Sequence, residues 1–283
     1  MNKQHSHNDK HGRFFQKTRM PYTRSKEDVW KDMMVQIQNH QKPAKKTNTF
    51  HWHLAAAAAV VLLIGLTAFL RFYSATLYAP PGQHLTKTLP QGSTIHLNAG
   101  TKLSYHPYWW RFARILTLEG EAYFEIEKGN RLTVQSTQGN TRVLGTRFNI
   151  YARNDKYRVH CLSVQVQVNT ASGKSRILHP NQALSATEKG EMQYQANVKS
   201  QHAIAWTQNR FVFTAVSLKE VFREMERQFD ITIEIAGGIE GKYTGNFQRG
   251  SSPKNILEMI ARPFGLEVQQ IHQTKYKITT DGD

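Results

Sequence analysis

The longest apolar run of the chain covers residues 54–70 and contains no charged side chain. As an α-helix it is about 25 Å long, close to the roughly 30 Å of a bilayer hydrocarbon core. Aromatic residues of the kind that settle at the headgroup level flank it: Phe50, Trp52, Phe72 and Tyr73. A core helix would carry a polar stripe, and a cleaved signal peptide would begin near the N-terminus. We therefore predict one transmembrane helix at 54–73, with a short re-entrant or surface segment as the alternative.

Beyond a Pro-Pro-Gly turn at 80–82, apolar and polar residues alternate with period two. Alternation over 116–126 predicts a long strand with one buried and one solvated face. It recurs over 144–150 and 162–168, and turn-forming residues separate these runs. Short strands at this spacing are typical of an all-β domain, which we place at residues 80–195.

The polar face of that long strand carries four acidic residues: Glu119, Glu121, Glu125 and Glu127. An acid or base in catalysis needs burial or a close charged partner to shift its pKa. Carboxylates on a solvated face have neither, so we interpret this row as a soluble outer face.

The pattern of apolar and polar residues changes after residue 206. Residues 206–283 predict a small α+β module. A strand at 210–213 precedes Ser217 and Glu220, which have the spacing of a capping box before an amphipathic helix. Ser252 and Pro253 begin a second helix in the same manner. The order β-α-β, β-α-β-β repeats strand, helix, strand.

The segment 1–53 contains one predicted amphipathic helix, at residues 25–40. Ser25 is a suitable N-cap, and acidic residues occupy the first turn, where the helix dipole favours them. An apolar stripe follows at helical spacing: Val29, Trp30, Met33, Met34 and Ile37. A lone helix of this length is marginal in water, so we expect it to become ordered on a partner; a helix lying on the lipid surface is the alternative.

Charge predicts the orientation of the chain. Eleven lysines and arginines oppose four acidic residues in segment 1–53, and the positive-inside rule keeps such a segment in the cytoplasm. The net charge of +16 is distributed along the whole chain, which argues against direct nucleic-acid binding. We predict a single-pass inner-membrane protein with a short helical cytoplasmic segment and a periplasmic C-terminal part.

Chemical motifs are sparse. The single cysteine, Cys161, excludes an internal disulfide and is interpreted as a small buried strand residue. The histidines near the N-terminus, His5, His7 and His11, could bind a metal loosely but are interpreted as solvated side chains. Nucleotide-binding and hydrolase motifs do not occur. We predict no cofactor, no metal and no enzyme activity.

Three segments in order, LPQGSTIHLNAGTKLSY, LTLEGEAYFEI and VLGTRFNIYA, resemble the periplasmic domain of FecR-type anti-sigma factors. The stretch AWTQNRFVFTAVSLKEVFREMERQFDITIE, with KYTGNF and ARPFGLEV, resembles their C-terminal module, and RSKEDVW their cytoplasmic stretch. The chain departs from the family where Val164 and Gln165 replace a commoner glycine turn. Its cytoplasmic segment is also shorter than the full helical anti-sigma domain.

The resemblance implies a signal transducer with two protein partners. A cytoplasmic extracytoplasmic-function sigma factor would bind the 25–40 helix. The N-terminal signalling domain of a TonB-dependent outer-membrane transporter would bind the module at 206–283, whose halves resemble secretin/TonB N-terminal domains. The alternative is a membrane-anchored periplasmic scaffold that binds a ligand or a cell-wall component.

The bond between Gly145 and Thr146 is a candidate for self-cleavage, because some FecR-like proteins are thought to nick themselves here. A threonine hydroxyl can attack the preceding carbonyl when the backbone is strained, and glycine permits the required dihedrals. We favour the simpler interpretation, a glycine bulge with Thr146 packed on the strand face.

Overall fold

The computed structural model describes residues 23–40, 49–129, 131–187 and 191–280. The chain divides into two units, residues 1–62 and 63–283. His5, His7 and His11, the histidines considered above as metal ligands, lie outside the described residues.

The first helix, α1, is Lys26–His40. The Ser25 hydroxyl accepts from the Asp28 backbone N–H at 3.2 Å, which confirms the predicted N-cap. The apolar stripe is uncovered: Trp30 is 62% exposed and Ile37 52%.

The second helix, α2, is Thr49–Phe72. Its 21 residues Trp52–Phe72 are long and apolar enough to cross a membrane, and none of that span is buried. The Thr67 hydroxyl donates to the Leu63 carbonyl at 2.7 Å, so the one polar side chain of residues 54–70 is satisfied within the helix.

Thirteen strands follow. They are β1 (Ala75–Ala79), β2 (Leu85–Thr88), β3 (Thr94–Leu97), β4 (Thr101–Tyr105), β5 (Arg114–Glu125), β6 (Leu132–Ser136), β7 (Gly139–Val143), β8 (Arg147–Arg153), β9 (Lys156–Cys161), β10 (Val166–Thr170), β11 (Ser175–Leu178), β12 (Gln182–Thr187) and β13 (Met192–Gln195). The first of them lies before residue 80, the predicted start of the β domain, because only two residues separate the end of α2 from the sheet.

The strands form two sheets that share β5. Sheet A has the order β1-β4-β5-β6-β7-β10-β11, and sheet B the order β2-β3-β5-β8-β9-β12-β13. Neighbouring strands are antiparallel except β5 and β6. The chain changes sheets at Gly120, whose φ of +128° and 2.8 Å approach of its Cβ position to the Thr101 Cα leave room for glycine only. A single core of apolar side chains lies between the sheets, with Phe124 stacked on Phe148 at 4.8 Å.

Two predicted strand boundaries are wrong. Leu144 is 59% exposed, and the strand begins only at Arg147 because Gly145, with φ of +140°, turns the chain. The run 162–168 is not one strand: Val164 has φ of +58° and separates β9 from β10. Cys161 ends β9 and is fully buried, as its interpretation as a strand residue requires.

The C-terminal module has the predicted order of elements. They are β14 (Arg210–Ser217), α3 (Leu218–Phe229), β15 (Thr232–Ile235), β16 (Lys242–Gln248), α4 (Pro253–Ala261), β17 (Leu266–His272) and β18 (Lys275–Thr280). β14 pairs with β16, and β18 lies between β15 and β17. Ser252 caps α4 as predicted, accepting from the Asn255 backbone N–H at 3.3 Å.

The two packed sheets, β1 to β13, form a sandwich. A 3₁₀ helix, Ser200–Gln208, connects this sandwich to the C-terminal module. Its Trp206 is buried in the module's core, and so is Tyr123 from the outer face of β5. The module is therefore packed onto the sandwich through shared apolar contacts.

Candidate signalling interface

Helix α3 presents two different faces. One packs Val221, Phe222 and Met225 into the core of the module. The other carries four polar residues at helical spacing toward the sandwich: Glu220, Glu224, Arg227 and Gln228. Although polar, Gln228 is fully buried and Glu224 is 8% exposed, so this face is an internal interface.

A chain of hydrogen bonds crosses the interface at its centre. Gln228 Nε2 donates to Asn98 Oδ1 at 2.7 Å, and Asn98 Nδ2 donates to Glu121 Oε2 at 2.8 Å. Asn149 Nδ2 donates to the other Glu121 oxygen at 2.9 Å. Asn98, in the turn after β3, and Asn149, on β8, thus both bond the carboxyl group of Glu121 on β5, and Gln228 of α3 joins them through Asn98.

The environment of Glu121 contradicts the solvated face predicted for its strand. Burial, and then the neighbouring charge of Glu224, raise the pKa of Glu121, while Arg153 opposes them. The alternation along β5 correctly predicted the strand's inner face, which is buried in the core. The module covers the outer side, which the pattern of β5 does not reveal.

Glu224 remains ionised within the same interface. Burial would raise its pKa, but Arg227 and Arg153 outweigh burial and lower it. Arg227 donates to Glu224 Oε2 at 2.6 Å. Arg153 donates to the carbonyl oxygens of Ala99 and Gly100 at 2.7 and 2.9 Å, which fixes its position.

Glu220 binds the sandwich instead of forming the predicted capping box. Ser217 is the N-cap of α3 but makes no side-chain cap hydrogen bond. Glu220 instead pairs with Lys156 at 2.5 Å and with Arg158, both on β9. Arg158 also lies 4.3 Å over the Tyr151 ring. The capping-box spacing was therefore misleading, because two cations from another part of the chain satisfy the carboxylate.

The turn after β1 reaches the C-terminal end of α3. The Gly82 N–H donates to the Arg227 carbonyl at 2.7 Å, and His84 Nε2 lies 2.9 Å from Gln228 Oε1. Burial lowers the pKa of His84, and its ring meets Trp206 edge-on at 5.3 Å. Because only two residues separate α2 from β1, one short strand connects this interface to the candidate membrane helix.

A cavity of about 350 Å³ lies beside the interface, between the 3₁₀ helix, β9 and β12. Four polar atoms of its lining residues have no hydrogen-bond partner among the described residues: Asn149 Oδ1, Arg158 Nε, His160 Nδ1 and Trp206 Nε1. Burial and the nearby Arg158 lower the pKa of His160 to about 4, so it is neutral near pH 7.

The residues predicted from sequence are not among those that form this interface. The stripe Val29, Trp30, Met33, Met34 and Ile37 belongs to α1, in the other unit of the chain. Gly145 and Thr146 lie between β7 and β8, where a Cβ on Gly145 would approach the Lys128 Cα to 2.6 Å. Thr146 is buried, and its hydroxyl donates to the Ser163 carbonyl.

The sandwich and the docked α+β module, following one candidate membrane helix, define the class of protein to which the chain belongs. Residues 75–167 match the family described as FecR protein, and residues 210–279 match the family described as FecR, C-terminal. Together the two matches cover more than half of the chain, and the chain belongs to the FecR family.

Solved structures share this fold. Two crystal structures of a protein from Parabacteroides distasonis, provisionally assigned as an anti-sigma factor, align with TM-scores of 0.69 and 0.68. Both are 23% identical, and both alignments cover 74% of this chain and 100% of the other. No protein in the search of curated sequences matches.

Sequence reasoning missed the interface residues because each has an ordinary local explanation. Glu220 fits a capping box, Glu121 fits a wet strand face, and Gln228 lies near a helix end. The amphipathic pattern of α3 did contain a signal, since its polar face includes a glutamine and two glutamates, side chains that need partners wherever another part of the fold covers them.

Proposed function

We propose that this chain is a membrane-spanning anti-sigma signal transducer. One observation carries the proposal: an uncovered apolar stripe on α1 and a tightly bonded sandwich–module unit lie on opposite sides of α2 in the sequence. A transducer needs a binding element on each side of the membrane. The FecR family and the fold of the Parabacteroides protein support this class of function.

The inner binding element of the proposal is α1. Its stripe spans Val29 to Ile37 and includes Trp30 and two methionines, side chains that suit a groove on a partner. Changing Trp30 and Met34 together to Ala should abolish capture of an extracytoplasmic-function sigma factor by the full-length chain. Gln38→Ala with Asn39→Ala alters exposed residues outside the stripe and should leave capture intact. Equal capture by both double variants would overturn this role of α1.

The outer binding element of the proposal is the module. β17 is an edge strand of its three-stranded sheet and is largely exposed, which suits pairing with a strand of another protein. A hollow of about 690 Å³ lies between β17 and α4, with Met259 51% exposed beside it. Calorimetry should detect binding between the detergent-solubilised chain and the N-terminal signalling domain of a TonB-dependent transporter. The heat of binding should also be compared between wild type and Val268→Pro, a substitution that removes an N–H from β17.

The relay itself would run through α3. Displacement of α3 by a bound partner would pull on the turn at 82–84, which is bonded to Arg227 and Gln228. That turn continues directly into β1 and then into α2. The proposal therefore needs α2 in the inner membrane with residues 1–53 in the cytoplasm. Alkaline phosphatase fused after residue 76 should be active and fused after residue 45 inactive.

The cavity favours a second candidate function, a membrane-anchored scaffold that binds a periplasmic ligand or cell-wall component. Its unpartnered Asn149 and Trp206 atoms could hydrogen-bond a small polar molecule. A scaffold needs nothing from α1, so the Trp30 and Met34 double variant separates the two functions. Under the scaffold hypothesis that variant would keep the full activity of the chain.

A further inference from the structure

The loop between β4 and β5, residues 106–113, is rich in aromatic side chains. Its sequence HPYWWRFA contains four aromatic residues and no acidic residue. Trp110 is 2% exposed and fastens the loop to the sandwich, donating from Nε1 to the Pro90 carbonyl at 3.3 Å. Tyr108 and Phe112 extend outward, 56% and 73% exposed. A loop held by one buried tryptophan thus presents two large aromatic side chains to the surroundings.

This loop lies against the C-terminal end of α2. The Tyr108 ring is 6.4 Å from the ring of Phe69 and 5.3 Å from that of Tyr73. His106 Nδ1 lies 2.9 Å from the Tyr73 carbonyl oxygen. The Arg71 guanidinium lies 5.2 Å over the Trp109 ring. The loop and the last turn of the candidate membrane helix therefore form one aromatic and cationic cluster.

Strand register places the loop at the end of sheet A nearest to α2. Ala75, at the start of β1, is opposite Tyr105, the last residue of β4. The loop begins immediately after Tyr105, so it extends past the sheet toward the helix. The β6–β7 turn, which contains Thr137, lies at the other end of the same sheet, because Ser136 pairs with Gly139 there.

We propose that residues 106–113 form a lipid-docking loop, whose Tyr108 and Phe112 side chains enter the headgroup region of the membrane that α2 spans. Tyrosine, tryptophan and arginine favour that region, because each combines an apolar body with a polar group that stays hydrated. The proposal rests on the proposed membrane span of α2. It adds that the sandwich is held against the bilayer and does not swing freely on its helix.

Site-specific fluorescence on the full chain tests this loop. The chain, with an environment-sensitive NBD label on Phe112→Cys, is reconstituted in vesicles of phosphatidylcholine with a minority of phosphatidylglycerol. The native Cys161 is buried and its thiol pKa is raised to about 11, so it should not compete for the label. Thr137→Cys, an exposed position at the opposite end of sheet A, is the matched control. Leu66→Cys reports insertion of α2.

The label at 112 should be quenched several-fold more than the label at 137 by nitroxide lipids, and should be shielded from aqueous iodide. Quenching at 66 with a label at 112 that behaves as at 137 would overturn the docking loop alone. Shielding from iodide without lipid quenching would also overturn it, by showing that protein covers the loop. An unquenched label at 66 would overturn the span and the docking loop together.

Discussion

Gln228 of α3 and Asn98 of the sandwich are 130 residues apart in sequence, yet their side chains meet at 2.7 Å in a fully buried site. The bond connects the module to the carboxyl group of Glu121 and, through His84, to the turn after β1. Buried polar networks are stable only when their members are satisfied, so this contact joins two parts of the fold and also makes the junction sensitive to small changes.

We expect Gln228→Leu to loosen the module from the sandwich. The substitution keeps the volume but removes the donor that Asn98 Oδ1 and Glu224 Oε1 share, at a cost of about 1–3 kcal/mol. Asn98 Oδ1 still accepts from the Ala99 N–H, so the larger loss falls on Glu224. Thermal unfolding of the detergent-solubilised chain should occur at a lower temperature, and protease should cut near the 3₁₀ helix. The control Gln269→Leu changes an exposed glutamine on β17 and should leave both readouts unchanged. Equal behaviour of the two variants would contradict the account of the interface.

Glu121 should make stability depend on pH. Its pKa is raised above the ordinary 4.5, so its contribution is fully present below about pH 4.5 and is lost as pH rises through the folded-state value. Glu121→Gln imitates the protonated carboxyl and should stabilise the chain at neutral pH. That gain should shrink below pH 4.5. The exposed Glu119→Gln is the control, and a Glu121→Gln profile parallel to wild type at every pH would refute the assignment.

The sequence predicted the elements well and the contacts between them poorly. Period-two alternation located β5, and helical spacing located α1, α3 and α4, because these patterns are local. The role of Glu121 depends on a module that arrives about a hundred residues later in the chain, so no local pattern contains it. Glu220 shows the same limit from the helix side, since its true partners are on β9.

Val164→Gly should stabilise the chain. Val164 has φ of +58° and is 56% exposed, so a β-branched side chain occupies a left-handed turn with little packing in return. The relief of strain outweighs the extra unfolded-state entropy of glycine and should leave a net gain of about 1 kcal/mol. Ile177→Gly is a matched control, because Ile177 is 51% exposed but lies in strand β11. That control should lose stability; a loss of similar size in both variants would show that Val164 is not strained.

The Gly145–Thr146 bond should stay intact. The Thr146 hydroxyl donates to the Ser163 carbonyl, which cannot take up the proton that an attack on the Gly145 carbonyl would release. Freshly purified wild type and Thr146→Ala should therefore both run as one full-length band on a denaturing gel. Fragments in wild type that disappear in Thr146→Ala and return in Thr146→Ser would establish self-cleavage instead.

We propose that the chain controls a sigma factor through α1, and the activity of a sigma-dependent promoter in living cells measures that control. A reporter from a promoter of the associated sigma factor is measured in cells that carry wild type, the Trp30 and Met34 double variant, the Gln38 and Asn39 double variant, or no copy of the gene. With equal membrane levels of each chain, the Trp30→Ala and Met34→Ala variant should give the output of cells without the gene, whether that output is higher or lower than wild type. The Gln38→Ala and Asn39→Ala control should match wild type. Wild-type output from the Trp30 and Met34 variant would contradict the claim.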